Sequence, residues 1–251
     1  MKRILILGFL LCCIGYSVWA VKNPADHEAE QALLQSDRAI AKTKSWRMRI
    51  DSHVKHWGKE WMVIEAIPPD REHGWEHVDR PFGGSPERRI ANVEYIRIGE
   101  DRYFRGDAIW GHRAAPEWIK LAPRDPPPLD GFFQLRLHLT NPHTGYSFDS
   151  VETSLRSQYY VPDMRLGELK AFSGHACREW SYDWEIRDDE GAGQLMHMHD
   201  TLCLGVSDHL PYHLTKGEWA EATYEWNPSI SIAAPDPVLP RPQCFDIVGC
   251  D

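Results

Sequence analysis

The chain has 251 residues, a formal net charge of −9 at pH 7, and 11 Trp, 9 Tyr and 8 Phe. Its acidity excludes a nucleic-acid footprint and electrostatic docking on anionic membranes, both of which require a basic surface. So heavy an aromatic load, in a chain with few long apolar runs, calls for a large sheet or a cavity to cover it.

Lys2 and Arg3, the apolar run 4–11 and the small residues of Val18-Trp19-Ala20 have the layout of a cleavable export signal. Residues 1–20 are therefore read as a signal peptide, with the mature chain starting at Val21 and working in the periplasm or outside the cell. Losing Lys2 and Arg3 takes the charge from −9 to −11. The run is too short to span a bilayer as a permanent helix. Leu10-Leu11-Cys12-Cys13 has the outline of a lipidation site, but the residue before Cys13 is not small, which favours ordinary cleavage. Beyond the leader stand Cys177, Cys203, Cys244 and Cys250, and four cysteines in an exported chain suggest two disulfides. No Asn sits in an acceptor sequon for glycosylation, which fits a bacterial exported protein.

In chain order, Asp26 reads as the N-cap of an amphipathic helix over residues 26–44, with Ala29, Leu33 and Ile40 on its apolar stripe. The period then drops to 2. Trp46, Met48, Ile50 and Val54 alternate with Arg47, Arg49, Asp51 and His53 in a half-buried strand. His56-Trp57-Gly58-Lys59 turns the chain, residues 61–67 return it, and Pro68-Pro69-Asp70-Arg71 stops that strand. Residues 72–90 are polar and Gly/Pro-bearing and read as a long loop or weak edge strand. A hairpin follows over residues 93–105, turning at Gly99-Glu100-Asp101. The Pro-rich stretch 111–131, with Pro126-Pro127-Pro128, reads as loop or irregular helix. Phe133, Leu135, Leu137 and Leu139 suggest a strand, a helix being the alternative. Residues 210–215 and 220–226 give two more strands, with Ala220, Ala222, Tyr224 and Trp226 on one face, and the Pro-rich stretch 235–242 reads as an extended arm.

The most informative segment is 176–204. A hairpin turning about Glu190 sets Cys177 directly opposite Cys203, a spacing suited to a disulfide. The same pairing places Trp180, Tyr182, Trp184, Met196, Met198, Leu202 and Leu204 on one face, and Glu179, Ser181, Asp183, Glu185, His197, His199 and Thr201 on the other. Arg178 and Asp200 fall on the apolar face as near neighbours able to pair. Cys244 and Cys250 then close a small loop in the tail.

Few motifs carry chemistry. His73 and His77 have the spacing of a helical metal pair, but Gly74 and the nearby prolines disfavour the helix. In Met196-His197-Met198-His199 the two Met and the two His point to opposite faces of a strand and cannot share an ion. Asp183 opposite His197 reads as a surface ion pair rather than an acid–base couple. No nucleophile elbow or phosphate-cradling loop is present. The expectation is a protein that is not an enzyme, with no metal and no cofactor.

The order of parts resembles a known family. The helix followed by Ser45-Trp46-Arg47, the hairpin with Pro69-Asp70-Arg71, and Val93-Glu94-Tyr95-Ile96-Arg97-Ile98-Gly99 are similar to the periplasmic lipoprotein carriers of LolA/LolB and mycobacterial lipoprotein type. Leu166-Gly167-Glu168-Leu169, Gly174-His175-Ala176-Cys177-Arg178-Glu179-Trp180, Cys203-Leu204-Gly205-Val206-Ser207-Asp208-His209-Leu210-Pro211 and Tyr224-Glu225-Trp226-Asn227-Pro228 extend the likeness. The resemblance implies a mainly β, α+β fold: an unclosed antiparallel β-barrel, or strongly curved sheet, with a helix over a hydrophobic cavity that holds acyl chains. Residues 21–235 would form this half-barrel, and 236–251 a Pro-rich tail with the small disulfide loop. A lipid or other hydrophobic ligand there would meet Trp46, Met48, Ile50, Trp180, Tyr182, Trp184, Met196, Met198, Leu202, Tyr224 and Trp226. A membrane protein or lipoprotein would be the partner. Arg47 is the nearest positional candidate for the gating arginine of one branch, although its strand parity points it outward. The alternative from the residues alone is an ordinary core, in a structural or sensor module working through protein–protein contact.

Overall fold

The computed structural model describes residues 24–54, 58–81, 88–108, 113–122, 165–187, 195–218 and 220–241. The proposed leader, the turns at 55–57 and 188–194, the apolar alternation from Phe133 to Leu139, and Cys244 and Cys250 lie outside the described residues. Among the described residues one helix, α1 (Pro24–Ile40), precedes eleven strands: β1 (Trp46–Val54), β2 (Gly58–Ile67), β3 (Arg71–Pro81), β4 (Arg88–Ile98), β5 (Asp101–Gly106), β6 (Ala115–Lys120), β7 (Arg165–Phe172), β8 (His175–Arg187), β9 (Leu195–Gly205), β10 (Pro211–Lys216) and β11 (Ala220–Trp226). They form one antiparallel sheet in the order β6-β5-β4-β3-β2-β1-β11-β10-β9-β8-β7. The sheet is curved but not closed, with β6 and β7 as its edges and α1 as cover.

Two meanders meet at the centre, where β1 pairs with β11: Trp46 lies opposite Trp226, Met48 opposite Tyr224 and Ile50 opposite Ala222. Alternation decides the faces. Along β1 and β2, Met48, Ile50, Met62, Ile64 and Ala66 are buried in one cluster with Ala29 and Leu33 of α1, while Arg47 and Glu65 pair on the opposite face.

Three segments differ from the sequence reading. The helix ends at Ile40 rather than running to 44, because the Thr43 hydroxyl donates to the Ile40 carbonyl and the Lys44 amide donates to Asn227 Oδ1, turning the chain into β1. Within the stretch expected as a loop or weak edge over 72–90, residues 72–81 are instead the inner strand β3, paired on both sides by β2 and β4, and 88–90 begin β4. The inward positions of β3 carry Glu72, Gly74, Glu76 and Val78, so Val78 alone supplies an apolar side chain to the alternation even though the two glutamates are buried. Within the Pro-rich stretch, β6 runs from Ala115 to Lys120 and buries Ala115 and Ile119. Gly106 lets the end of β5 lie close against the β4 backbone. Its φ is +139°, and a Cβ there would stand 2.4 Å from the Asn92 carbonyl oxygen.

The outer face of β4–β6 is also covered. Ile96, Tyr103 and Ile232 form a second buried cluster, flanked by Ile67, Ile98, Trp118, Ile230 and Val238. The arm after β11 is therefore a strap. Asn227 N–H donates to the Ser45 carbonyl, Arg71 donates to the Ile232 carbonyl at 3.2 Å, and the Leu239 amide donates to Trp118 O at 2.7 Å, making a parallel bridge to Ile119 on the β6 edge. Ile232 is 2% exposed. Ile232→Ala should cost about 2 kcal/mol, the low end for a large-to-small change since a strap can settle into the space. Urea unfolding with an unchanged m-value would confirm it, and an effect below about 0.5 kcal/mol would show that the strap contributes no stability.

Candidate functional site

The inner face gathers most of the expected ligand-facing residues. Trp46, Met48 and Ile50 of β1, Trp180 and Tyr182 of β8, Leu202 of β9 and Tyr224 of β11 belong to one buried cluster, and Trp226 packs half-buried at its margin with Nε1 donating to the Pro211 carbonyl. The register sets Trp184 opposite Met198 and Met196 opposite Ile186 on the same strands, although these side chains lie outside the described ones.

The β8–β9 hairpin is displaced from its expected pairing. Cys177 and Cys203 are disulfide-bonded, with Cα atoms 5.5 Å apart, but Cys177 lies opposite Gly205 and Cys203 opposite Glu179. The bond thus crosses a diagonal, one of which strand twist shortens. Every opposed pair moves by two residues, which leaves both faces unchanged because the side-chain period is also two. Contacts do change. Asp183 meets His199 rather than His197, through His199 Nδ1 and Asp183 Oδ1 at 2.6 Å, and both side chains are exposed. The carboxyl of Asp183 is held below its ordinary value mainly by that hydrogen bond.

Arg178 and Asp200 do not pair. The shift sets Arg178 opposite Leu204 and Asp200 opposite Tyr182, too far apart along the strands, and Arg178 points to the Gly167 carbonyl at 3.4 Å. Asp200, at 0% exposure, instead takes the Tyr182 hydroxyl at 2.7 Å and Lys216 Nζ at 3.0 Å, both on Oδ2, and Lys216 also donates to the Tyr182 oxygen at 3.0 Å. Adjacent strands β8, β9 and β10 each supply one member of this triad. Burial pushes the Lys216 ammonium below its ordinary value, against the pull of the Asp200 carboxylate, and raises the Tyr182 phenol. Sequence reasoning missed Lys216. The signal was there, since one more step of the β10 alternation puts it beside Leu214 on the apolar face. Among the described residues, Asp200 Oδ1 and the Tyr224 hydroxyl are buried polar atoms of this part of the face without a hydrogen-bond partner, and burial raises the Tyr224 phenol.

Further round the inner face, Glu72 lies opposite Arg97 and pairs with it at 3.4 Å, and burial, helped by Glu72, pushes the Tyr95 phenol up to about 12. On the outer face, a cleft of about 470 Å³ opens between the β7–β8 turn and β1–β11, lined among others by Arg47, Arg49, His175, Tyr212 and Glu225. Arg47 is engaged there by Glu65 and Glu225, at 2.7 and 2.6 Å, which takes it away from any role inside the barrel. His73 and His77 lie on a strand, not a helix, bonded to Glu94 and Asn92. Among the described residues no group of three or more His, Cys, Asp or Glu is placed to hold a metal ion, and no helix is long and apolar enough to cross a membrane.

No protein-family model matches the sequence, and no curated protein matches it. Solved structures do. The crystal structure of LprF from Mycobacterium bovis superposes with a TM-score of 0.51 and 12% identity, covering 85% of this chain and 99% of that one. The likeness is one of fold. It agrees with the half-barrel expected from the sequence resemblance, helix first and sheet open between its two edge strands.

Proposed function

We propose that the protein is an exported, non-catalytic carrier or binder of a lipid or another hydrophobic ligand, held against the inner face of the open sheet beneath α1. The observation that carries this reading is the unclosed, helix-covered sheet, similar in fold to LprF, whose concave side is lined by Trp46, Met48, Trp180, Tyr182 and Tyr224. Binding would draw on burial of apolar chain at about 0.8 kcal/mol per CH₂, with the Met and aromatic side chains adapting to ligand shape. Residues 1–20 would direct export, and the acidic mature surface would keep the loaded carrier from anionic membranes until a membrane protein or lipoprotein partner docks. Near-complete burial of the same side chains favours a second reading, in which they are plain core and the protein acts through protein–protein contact.

Native mass spectrometry of gently purified, oxidised protein distinguishes the two. Extra mass that disappears on organic extraction is the expected result. A bare mass, together with failure of delipidated protein to take up a fluorescent fatty acid, would set aside the carrier reading and leave the contact module.

A further inference from the structure

Asp200 is a carboxylate in an apolar wall. Its register partners are Tyr182 on β8 and Lys216 on β10, and the next inward row consists of Trp180, Leu202 and Leu214. Oδ2 takes both available donors, the Tyr182 hydroxyl and the Lys216 ammonium, and Lys216 also spans to the Tyr182 oxygen. Oδ1 is fully buried and has no hydrogen-bond partner among the described residues. A buried acceptor without a donor is costly, and most so for a charged group.

The chemistry that could satisfy Oδ1 is narrow. Lys216 already neutralises Asp200, so a cationic ligand group would bring an uncompensated charge into the interior. A carboxylate or phosphate would face Oδ1 directly and be repelled, while the ammonium that could attract it is already engaged. A neutral donor meets neither obstacle: a hydroxyl or amide N–H satisfies Oδ1 and leaves the charge balance unchanged.

We propose that Asp200 Oδ1 is the head-group anchor of the inner face, accepting a hydrogen bond from a hydroxyl or amide N–H at the polar end of an otherwise apolar ligand. Tyr182 and Lys216 act as positioning residues that hold the carboxylate by its other oxygen. This inference rests on the carrier reading and narrows it from any hydrophobic ligand to neutral, donor-headed amphiphiles.

The test is a fluorescence titration of the oxidised, delipidated full chain with two labelled probes of equal chain length, a fatty alcohol and a fatty acid, at neutral pH. The alcohol should bind about tenfold or more tightly than the acid, the worth of one hydrogen bond to a buried charged group. Asp200→Asn should abolish that preference, since an amide also offers a donor to the carboxylate. Equal affinities in the wild type, or tighter binding of the acid, would overturn the anchor and leave the carrier reading standing. A preference that persists in folded Asp200→Asn would overturn it as well. Binding of neither probe would remove the carrier reading itself, and the anchor with it. If Asp200→Asn fails to fold, the wild-type ratio alone decides.

Discussion

Lys216→Met is expected to destabilise the protein by about 3–5 kcal/mol, the cost of stranding one charge of a buried pair. Asp200 is at 0% exposure and Lys216 Nζ is the cation bound to it, at 3.0 Å. Methionine keeps much of the lysine stem's packing, so the loss isolates the charge rather than a cavity. The Tyr182 hydroxyl remains as a donor to Oδ2, but one neutral donor does not replace a counter-ion. Adding Asp200→Asn to Lys216→Met should recover most of the loss: the amide is neutral, and its oxygen still accepts from Tyr182. Urea unfolding of the two single variants and the double variant gives the coupling directly. A Lys216→Met effect below about 1 kcal/mol would mean that the Lys216–Asp200 pair contributes little to holding the folded state.

The same pair shows what the sequence could and could not reveal. Faces were legible because a period of two survives any register shift of two. Trp180, Tyr182, Leu202 and Tyr224 therefore reached the inner side although the β8–β9 pairing was displaced. Partners were not legible, since a shift that spares faces changes every cross-strand neighbour. That is why Asp200 was matched with Arg178 on its own hairpin rather than with Lys216 one strand beyond. β3 was hidden because its inward positions hold Glu72, Gly74 and Glu76, whose burial depends on β4 residues such as Arg97. β7 lacks alternation for a different reason. It is an edge strand with Leu166 and Leu169 exposed, and only its pairing with β8 makes it a strand. The strap is a third case. Ile230, Ile232 and Val238 are ordinary apolar residues in a Pro-rich tail until the outer face of β4 and β5 supplies Ile96 and Tyr103.

Removing the Cys177–Cys203 disulfide, by the double substitution of both residues to Ala, should cost about 3.5 kcal/mol on the chain-entropy account for a loop of this length; the two residues are 26 apart in sequence. The bond joins two strands already paired along their length, so its main effect is on the unfolded chain, which it keeps from separating β8 from β9. Cys177 is 0% and Cys203 4% exposed, so a reductant should reach the bond slowly in the folded protein and quickly in urea. The expected result is a lowered urea midpoint for the Ala pair, with little change in near-ultraviolet circular dichroism, because the cysteines lie on the face opposite the Trp180 and Tyr182 cluster. An Ala pair within about 1 kcal/mol of wild type would mean that β8 and β9 stay associated in the unfolded ensemble without the bond. A loss near the expected size would make folding depend on an oxidising compartment, and would tie the stability of the inner face to the export that residues 1–20 are proposed to direct.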